Sequence, residues 1–469
     1  MKHPNLIYVF ADQLRWASVG YNGDALAETP NIDDMALNSA DITNAVSGHP
    51  VCSPYRASLL TGKYTTSTGM VINEIRMNPH HRCFAHVLND AGYDPQYIGK
   101  WHLYAAKLGH HYDPENSFIP PGEDRLGFDG YFAAYNFHHE YYAPKAYYHL
   151  DTPEKIYAEG YEPDFMTDLA ITRIKGAAKG EKPFALFLSL GTPHDPWTED
   201  NVPKKYLDLF RDADFRLPPN YSKRNDPHAD IWAKFFPFER RKLIDRMRVY
   251  YAMVANLDYN VGRIRSAIKE LGIGKDTIFV FTSDHGEMFG AHGRHAKNIF
   301  YDEAVRVPFL IEWEGHIPAG RKDFCFNTVD IMPTLLSLMG LEYPEEVEGS
   351  DLSECLISDA DNPLPSLMMG TGPTAVFGFG REWRAVRDKR FTYAVYRIDR
   401  SEYLFDNLAD PYQMSNLAHD PDYNEQKERL KTYMYEKMKS IGDDFDSNLH
   451  YRSRWVKNRK ILRTATLKR

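Results

Sequence analysis

Four apolar runs in this chain each end on polar, chemically able residues, and that repetition constrains the fold more than any other feature. Residues 6–10 lead to Asp12-Gln13, and residues 92–98 lead to Gly99-Lys100-Trp101-His102. Residues 183–190 lead to Gly191-Thr192-Pro193-His194, and residues 277–282 to Ser283-Asp284-His285-Gly286. Short continuous apolar runs read as strands buried on both faces, as in an α/β sheet. Ligands of open α/β sheets bind beyond the carboxyl ends of the strands. Four such ends therefore predict a single site on one sheet edge. Helical patterns lie between the runs. The longest covers residues 239–270, with Leu243, Met247, Tyr250, Val254, Leu257, Val261, Ile264 and Ile268 on one face. Residues 29–36 read as a capped helix start and residues 329–336 as a second packing helix.

At 469 residues the chain exceeds a single small core, so two units are expected. A stretch rich in Asp, Pro and Gly at 359–373 places the boundary, giving an α/β catalytic domain over 1–365 and a subdomain over 366–469. Short strand-like runs at 383–387, 391–396 and 403–406, then a helix near 423–441, make the second unit a small sheet with one helix. The net charge of −9 argues against nucleic acid or an acidic membrane as partner. No apolar stretch is long enough to span a bilayer. The first ten residues lack a signal-peptide plan, so the expected location is cytoplasmic as written, or periplasmic or secreted if a leader has been removed. Cys52, Cys83, Cys325 and Cys355 show neither zinc spacing nor a dense disulfide framework.

The run Cys52-Ser53-Pro54-Tyr55-Arg56-Ala57-Ser58-Leu59-Leu60-Thr61-Gly62 carries the chemistry. Pro54 suits a first helical turn and Gly62 a helix end. Cys52 then lies at the positive end of a helix, with Arg56 one turn along the same face. Asp12 with Gln13, and Asp284 with His285, form two polar pairs whose oxygens suit a hard cation. Strand-end turns are the alternative reading of either pair alone.

Cys-x-Pro-x-Arg followed by Leu-Leu-Thr-Gly resembles the signature of type I sulfatases, of the alkaline phosphatase-like superfamily. The likeness is greatest to bacterial carbohydrate sulfatases. It implies a large mixed sheet sandwiched by helices, with a smaller C-terminal antiparallel sheet plus helix. It also implies that a formylglycine-generating or radical maturation enzyme oxidises Cys52 to formylglycine, whose hydrated aldehyde attacks a sulfate ester. The matching metal ligands are Asp12, Gln13, Cys52, Asp284 and His285, around Ca²⁺ with Mg²⁺ as the alternative. Tyr55 stands where many members carry Ser or Thr, Gln13 where many carry Asp, and His285 where many carry Asn.

By the same resemblance Arg56 orients the nucleophile, and Lys100 and Lys297 bind sulfate. His102 takes a proton as the aldehyde is regenerated, and His194 protonates the leaving oxygen with Lys297 assisting. The aromatic run at 131–142, with His138 and His139, and Trp197 are candidates for sugar contact; Arg294 and His295 for a carboxylate or second sulfate. The expected substrate is a sulfated glycan or oligosaccharide. Two other readings stay open: a phosphate or phosphonate ester hydrolase of the same superfamily, and a catalytically silent glycan-binding homologue.

Overall fold

The computed structural model describes residues 3–105, 113–358, 360–378 and 380–466. Asp359, at the start of the expected boundary, lies outside them. The strands in chain order are β1 (Asn5–Asp12), β2 (Ala40–Val46), β3 (Asp94–Lys100) and β4 (Phe132–Tyr135), then a short ribbon of β5 (Tyr147–Tyr148) and β6 (Ile156–Tyr157). After these come β7 (Phe184–Pro193), β8 (Thr277–Ser283), β9 (Phe309–Glu312) and β10 (Gly320–Asn327). Eight of them form one sheet in the order β10-β2-β9-β8-β1-β7-β3-β4. Only β9 runs antiparallel to its neighbours, so the sheet is mixed.

Every residue of β1 is buried, and its alternate side chains feed two cores. Leu6, Tyr8 and Phe10 join Tyr55, Leu59 and Leu60 of the helix Cys52–Thr61 and Leu335 and Leu336 of the helix Thr328–Leu338. Ile7, Val9 and Ala11 join Met166 and Ala170 of the helix Glu162–Ala177 and Tyr250, Val254 and Val261 of the helix Leu243–Glu270. A strand apolar on both faces is what this layering demands. The long helix begins at Leu243, not at residue 239 as its periodicity predicts, because Pro237–Arg241 forms its own turn. That turn is closed by Glu239, whose carboxylate accepts the Phe236 N–H at 2.8 Å.

The register brings the reactive strand ends level. Ala11 pairs with Ser283, Asp12 with Pro193 and Gly99 with Ser189. Asp12, Asp284, His194 and Lys100 therefore emerge on one edge. Gly99 is demanded there: φ is +101°, and a Cβ would sit 2.0 Å from the Ser189 carbonyl oxygen.

A second, antiparallel sheet is built from β11 (Ser366–Gly370), β12 (Trp383–Arg387), β13 (Phe391–Tyr396) and β14 (Glu402–Asp406). One face holds Leu367, Tyr393 and Leu404 against Leu430, Met434 and Met438 of the helix Asn424–Ser440. The i, i+4 spacing of those three residues makes the helix face. The other face sets Met368, Trp383 and Phe405 against Ile299, Phe300 and Tyr301. The chain just beyond Lys297 is thus clamped between the two sheets. All four cysteines are free and buried. Among the described residues no helix is long and apolar enough to cross a membrane.

Arg384 of β12 and Asp443 form a buried bidentate pair, at 2.5 Å from Nε and 2.8 Å from Nη2. It ties the small sheet to the C-terminal tail. Asp443→Ala strands the guanidinium in the interior and should cost about 3–5 kcal/mol. Denaturant unfolding checks this, and a loss under about 1 kcal/mol would contradict it.

Candidate active site

Cys52 opens its helix after Val51 in extended conformation, and Gly62 ends it with φ +64°. The helix therefore starts and stops where Pro54 and Gly62 predict. The Cys52 Sγ lies 3.6 Å from Asp12 Oδ1 and 3.3 Å from His285 Nε2. One ligand atom each from Asp12, Cys52, Asp284 and His285 all lie within 4.8 Å of one another, and all four residues are buried.

Two donors each about 2.4 Å from a common calcium ion can be about 4.8 Å apart at most, so the cluster has the size of a coordination sphere. Its chemistry agrees. Asp284 Oδ2 is buried without a hydrogen-bond partner. The His285 Nδ1 faces the Gly286 carbonyl at 3.0 Å. A carbonyl only accepts, so Nδ1 bears the proton and Nε2 presents its lone pair to the cluster. Burial raises the Asp284 carboxyl, and Asp12 beside it raises it further. Burial and Cys52 push Asp12 up, but the Lys100 and Lys297 ammonium groups outweigh them and hold it below the usual carboxylate range. Bringing a cation between two close carboxylates relieves their repulsion.

Three cations face this anionic core. Arg56, 1% exposed, donates from Nη1 to Tyr97 Oη at 3.2 Å, the Lys100 carbonyl at 2.5 Å and Ser189 Oγ at 2.7 Å. Its Nη2 reaches Asp12 Oδ2 at 3.4 Å. Lys100 Nζ lies 2.6 Å from Asp12 Oδ2 and donates to His139 Nε2 at 3.3 Å. Lys297 Nζ donates to Gln13 Oε1 and to His194 Nε2, both at 2.7 Å. Burial opposes its charge, but Cys52 and Asp12 leave the ammonium favoured, with its pKa raised. Burial raises the Cys52 thiol, yet the Lys100 and Lys297 ammonium groups bring it well below its ordinary value.

The histidines divide into two groups. His194 accepts from Lys297 at Nε2 and donates from Nδ1 to the Asp195 carbonyl at 2.9 Å, so the proton nearest the cluster is held on Lys297. His139 stacks face to face on His194, with centroids 3.7 Å apart. The His102 carbonyl accepts from Ser53 Oγ at 2.5 Å, and His102 Nε2 lies 3.8 Å from Glu74 Oε1. His138 stands apart from the cluster's contacts. It is fully buried, stacked 3.6 Å from Tyr135, and bonds the Tyr147 carbonyl at 3.0 Å. Trp197 packs on Phe289 and bonds the Pro193 carbonyl. Arg294 is buried and paired with Asp226 at 3.1 Å, and His295 Nε2 bonds the Lys234 carbonyl at 2.9 Å. These four side chains are thus occupied by internal contacts.

Gln13 meets the cluster through its backbone, whose N–H donates to Asp284 Oδ1 at 3.0 Å. Its side chain is aimed by Glu287, which sequence reasoning missed. Glu287 Oε2 accepts from Gln13 Nε2 at 2.6 Å, while Oε1 accepts from the N–H groups of Phe289 and Ala296. The amide oxygen is thereby turned to Lys297. Tyr97 and Ser189, which hold Arg56, were also missed; a lone Tyr and Ser inside apolar strands were the available signal. Gln13, Glu74, His102, Phe289, Ala296 and Asn298 all have positive φ. Such strain gathers where surrounding structure holds a functional site in place.

A sulfatase family model matches residues 4–341, and a model described as N-sulphoglucosamine sulphohydrolase, C-terminal, matches residues 290–440. The chain is 36% identical over 453 residues to an ulvan-active sulfatase of Formosa agariphila, covering 96% of this chain and 83% of that one. It is 30% identical to an endo-4-O-sulfatase of Bacteroides thetaiotaomicron, covering 94% and 93% of the two chains. A solved Bacteroides thetaiotaomicron structure connected with the metabolism of multiple glycosaminoglycans superposes with a TM-score of 0.82 at 28% identity, covering 96% and 99%.

Glu162 lies 3.3 Å from His138 Nε2, and burial pushes its carboxyl up to about 8. A raised carboxyl favours the folded state fully below its ordinary 4.5, and that contribution is lost as pH rises through about 8. Glu162→Gln should therefore lose less thermal stability than the unaltered protein between about pH 5 and 8. Equal declines in melting temperature would contradict this.

Proposed function

The chain belongs to the sulfatase family, with its alkaline phosphatase-like fold and sulfuric ester hydrolase activity, and from that premise we propose that it removes sulfate from a sulfated glycan or oligosaccharide, using formylglycine made from Cys52 and a bound divalent cation. The observation that carries this reading is the buried quartet of Asp12, Cys52, Asp284 and His285, with Lys100, Lys297 and Arg56 in close attendance. The glycan is suggested by the relatives named for ulvan and for endo-4-O-sulfate removal. In this reading a formylglycine-generating or radical maturation enzyme is an obligatory partner.

Asp12, Asp284, His285 and residue 52 would hold the cation, with Gln13 bracing Asp284 through its backbone N–H. Calcium suits the two carboxylates, and magnesium would suit them too. The cation would supply Lewis acidity at the sulfate and formylglycine a hydroxyl nucleophile. The protein's own residues do the rest. Lys100 and Lys297 neutralise charge on the sulfate oxygens as it grows. Arg56 is fixed by three acceptors and keeps residue 52 and Asp12 in register. Lys297 carries the proton it shares with His194, so this pair stands ready to protonate the leaving oxygen. His102, beside residue 52, is placed to take a proton from it.

Protein matured in a competent host should turn over an aryl sulfate at least 100-fold faster, by kcat/KM, than the matching phosphate or phosphonate ester. Cys52→Ala should abolish turnover of all three. A preference for the phosphonate would favour the hydrolase alternative, and glycan binding without turnover the silent homologue. Calcium at 100 times its Kd should stabilise the fold by about 2.7 kcal/mol, and Asp284→Ala should remove that gain. Thermal melts with and without calcium read both outcomes, and equal calcium shifts in the two proteins would exclude this site.

A further inference from the structure

A cavity of about 400 Å³ is walled by Ile72, Glu74 and Ile75, by Phe377, and by Arg452 and Arg459. Its volume lies within the roughly 300–1,000 Å³ of small-molecule pockets. We propose that it is a glycan subsite that holds the sugar adjoining the sulfated residue and selects one bearing negative charge. This rests on the sulfatase reading of the Cys52 cluster.

Position is the first argument. Glu74 links the two places: it lines the cavity and lies 3.8 Å from His102, whose carbonyl accepts from Ser53 Oγ, next to Cys52 in sequence, at 2.5 Å. The connecting segment is pinned to the catalytic helix. Asn73 Oδ1 accepts the Ser53 N–H at 3.0 Å, and the Asn73 N–H donates to the Thr374 carbonyl at 2.7 Å. On the far side the Arg76 N–H donates to the Arg459 carbonyl at 2.7 Å. The cavity walls are therefore tied to the start of the Cys52 helix through Ser53 and the Asn73 side chain, and to each other by backbone hydrogen bonds, as a neighbouring subsite requires.

Chemistry is the second. On a chain of net charge −9, this cavity places Arg452 and Arg459 on one wall. A guanidinium pairs its planar fork with a carboxylate or sulfate group. Ile72, Ile75 and Phe377 give the apolar wall that the C–H face of a sugar ring needs. Residues 452–459 also lie beyond both family matches, which end at 341 and 440. The shared sulfate chemistry is thus met by a wall from a segment outside the family pattern, where substrate choice can differ between relatives.

The test uses matured protein and oligosaccharides that share one sulfated residue. Their neighbouring sugar carries a uronate or a second sulfate, or has had that charge removed by carboxyl reduction or selective desulfation. The unaltered protein should prefer a charged neighbour at least tenfold in kcat/KM, mainly through KM, and the two arms tell which anion is read. Arg452→Gln with Arg459→Gln should erase that preference while costing an aryl sulfate at least fivefold less. No preference in the unaltered protein, or equal losses on both substrate types, would overturn the proposal. Calorimetric binding of the charged oligosaccharide to Cys52→Ala gives a readout independent of turnover. Tenfold weaker binding on adding the two Arg→Gln changes supports the subsite even if no sulfate is released, and unchanged binding overturns it.

Discussion

The site depends on the carboxylate of Asp12, fully buried at the end of the central strand β1. Lys100 lies 2.6 Å from one of its oxygens, Arg56 reaches the same oxygen, and the Cys52 thiol lies 3.6 Å from the other. A buried charge this well attended can be held only where several strand ends converge. The parallel register of β1 with β7 and β8 supplies that convergence. Asp12 and Asp284 lean on one another across the β1–β8 junction, and the cost of placing two carboxylates there is what a divalent cation would offset.

Around that core a relay of hydrogen bonds fixes the polar side chains. Glu287 turns Gln13, Gln13 faces Lys297, and Lys297 faces His194. Tyr97 and Ser189 hold Arg56 from two further strands. The small sheet presses Trp383 and Phe405 against the chain just after Lys297. The small sheet thus helps to fix the backbone that follows Lys297.

The parts of this arrangement legible in the sequence were those written locally. Buried parallel strands are continuous apolar runs, so β1, β3, β7 and β8 stood out, as did β12, β13 and β14 with their following helix. Ala40–Val46 was harder to see, because Asp41 and Asn44 interrupt its apolar pattern; only the fold supplies their partners, Arg321 and the Asp323 carbonyl. Asp12, Asp284 and His285 were legible because they end or follow a strand, and Cys52 because Pro54 and Gly62 mark the helix it opens. His138 was not, since nothing local distinguishes a histidine stacked in the core on Tyr135 from one at a pocket mouth. Arg294 shares that ambiguity: its partner Asp226 is 68 residues away in sequence. Glu74, Arg452 and Arg459 were invisible as a group, because a cavity between three segments has no sequence signature.

The most direct measurement is a crystal structure of the matured protein grown with calcium, with anomalous data collected to locate the ion. The account predicts a cation between Asp12, Asp284 and His285, touching an oxygen on a residue 52 that has lost its sulfur. An intact thiol at position 52 in protein from a maturation-competent host, with no cation among those side chains, would contradict it.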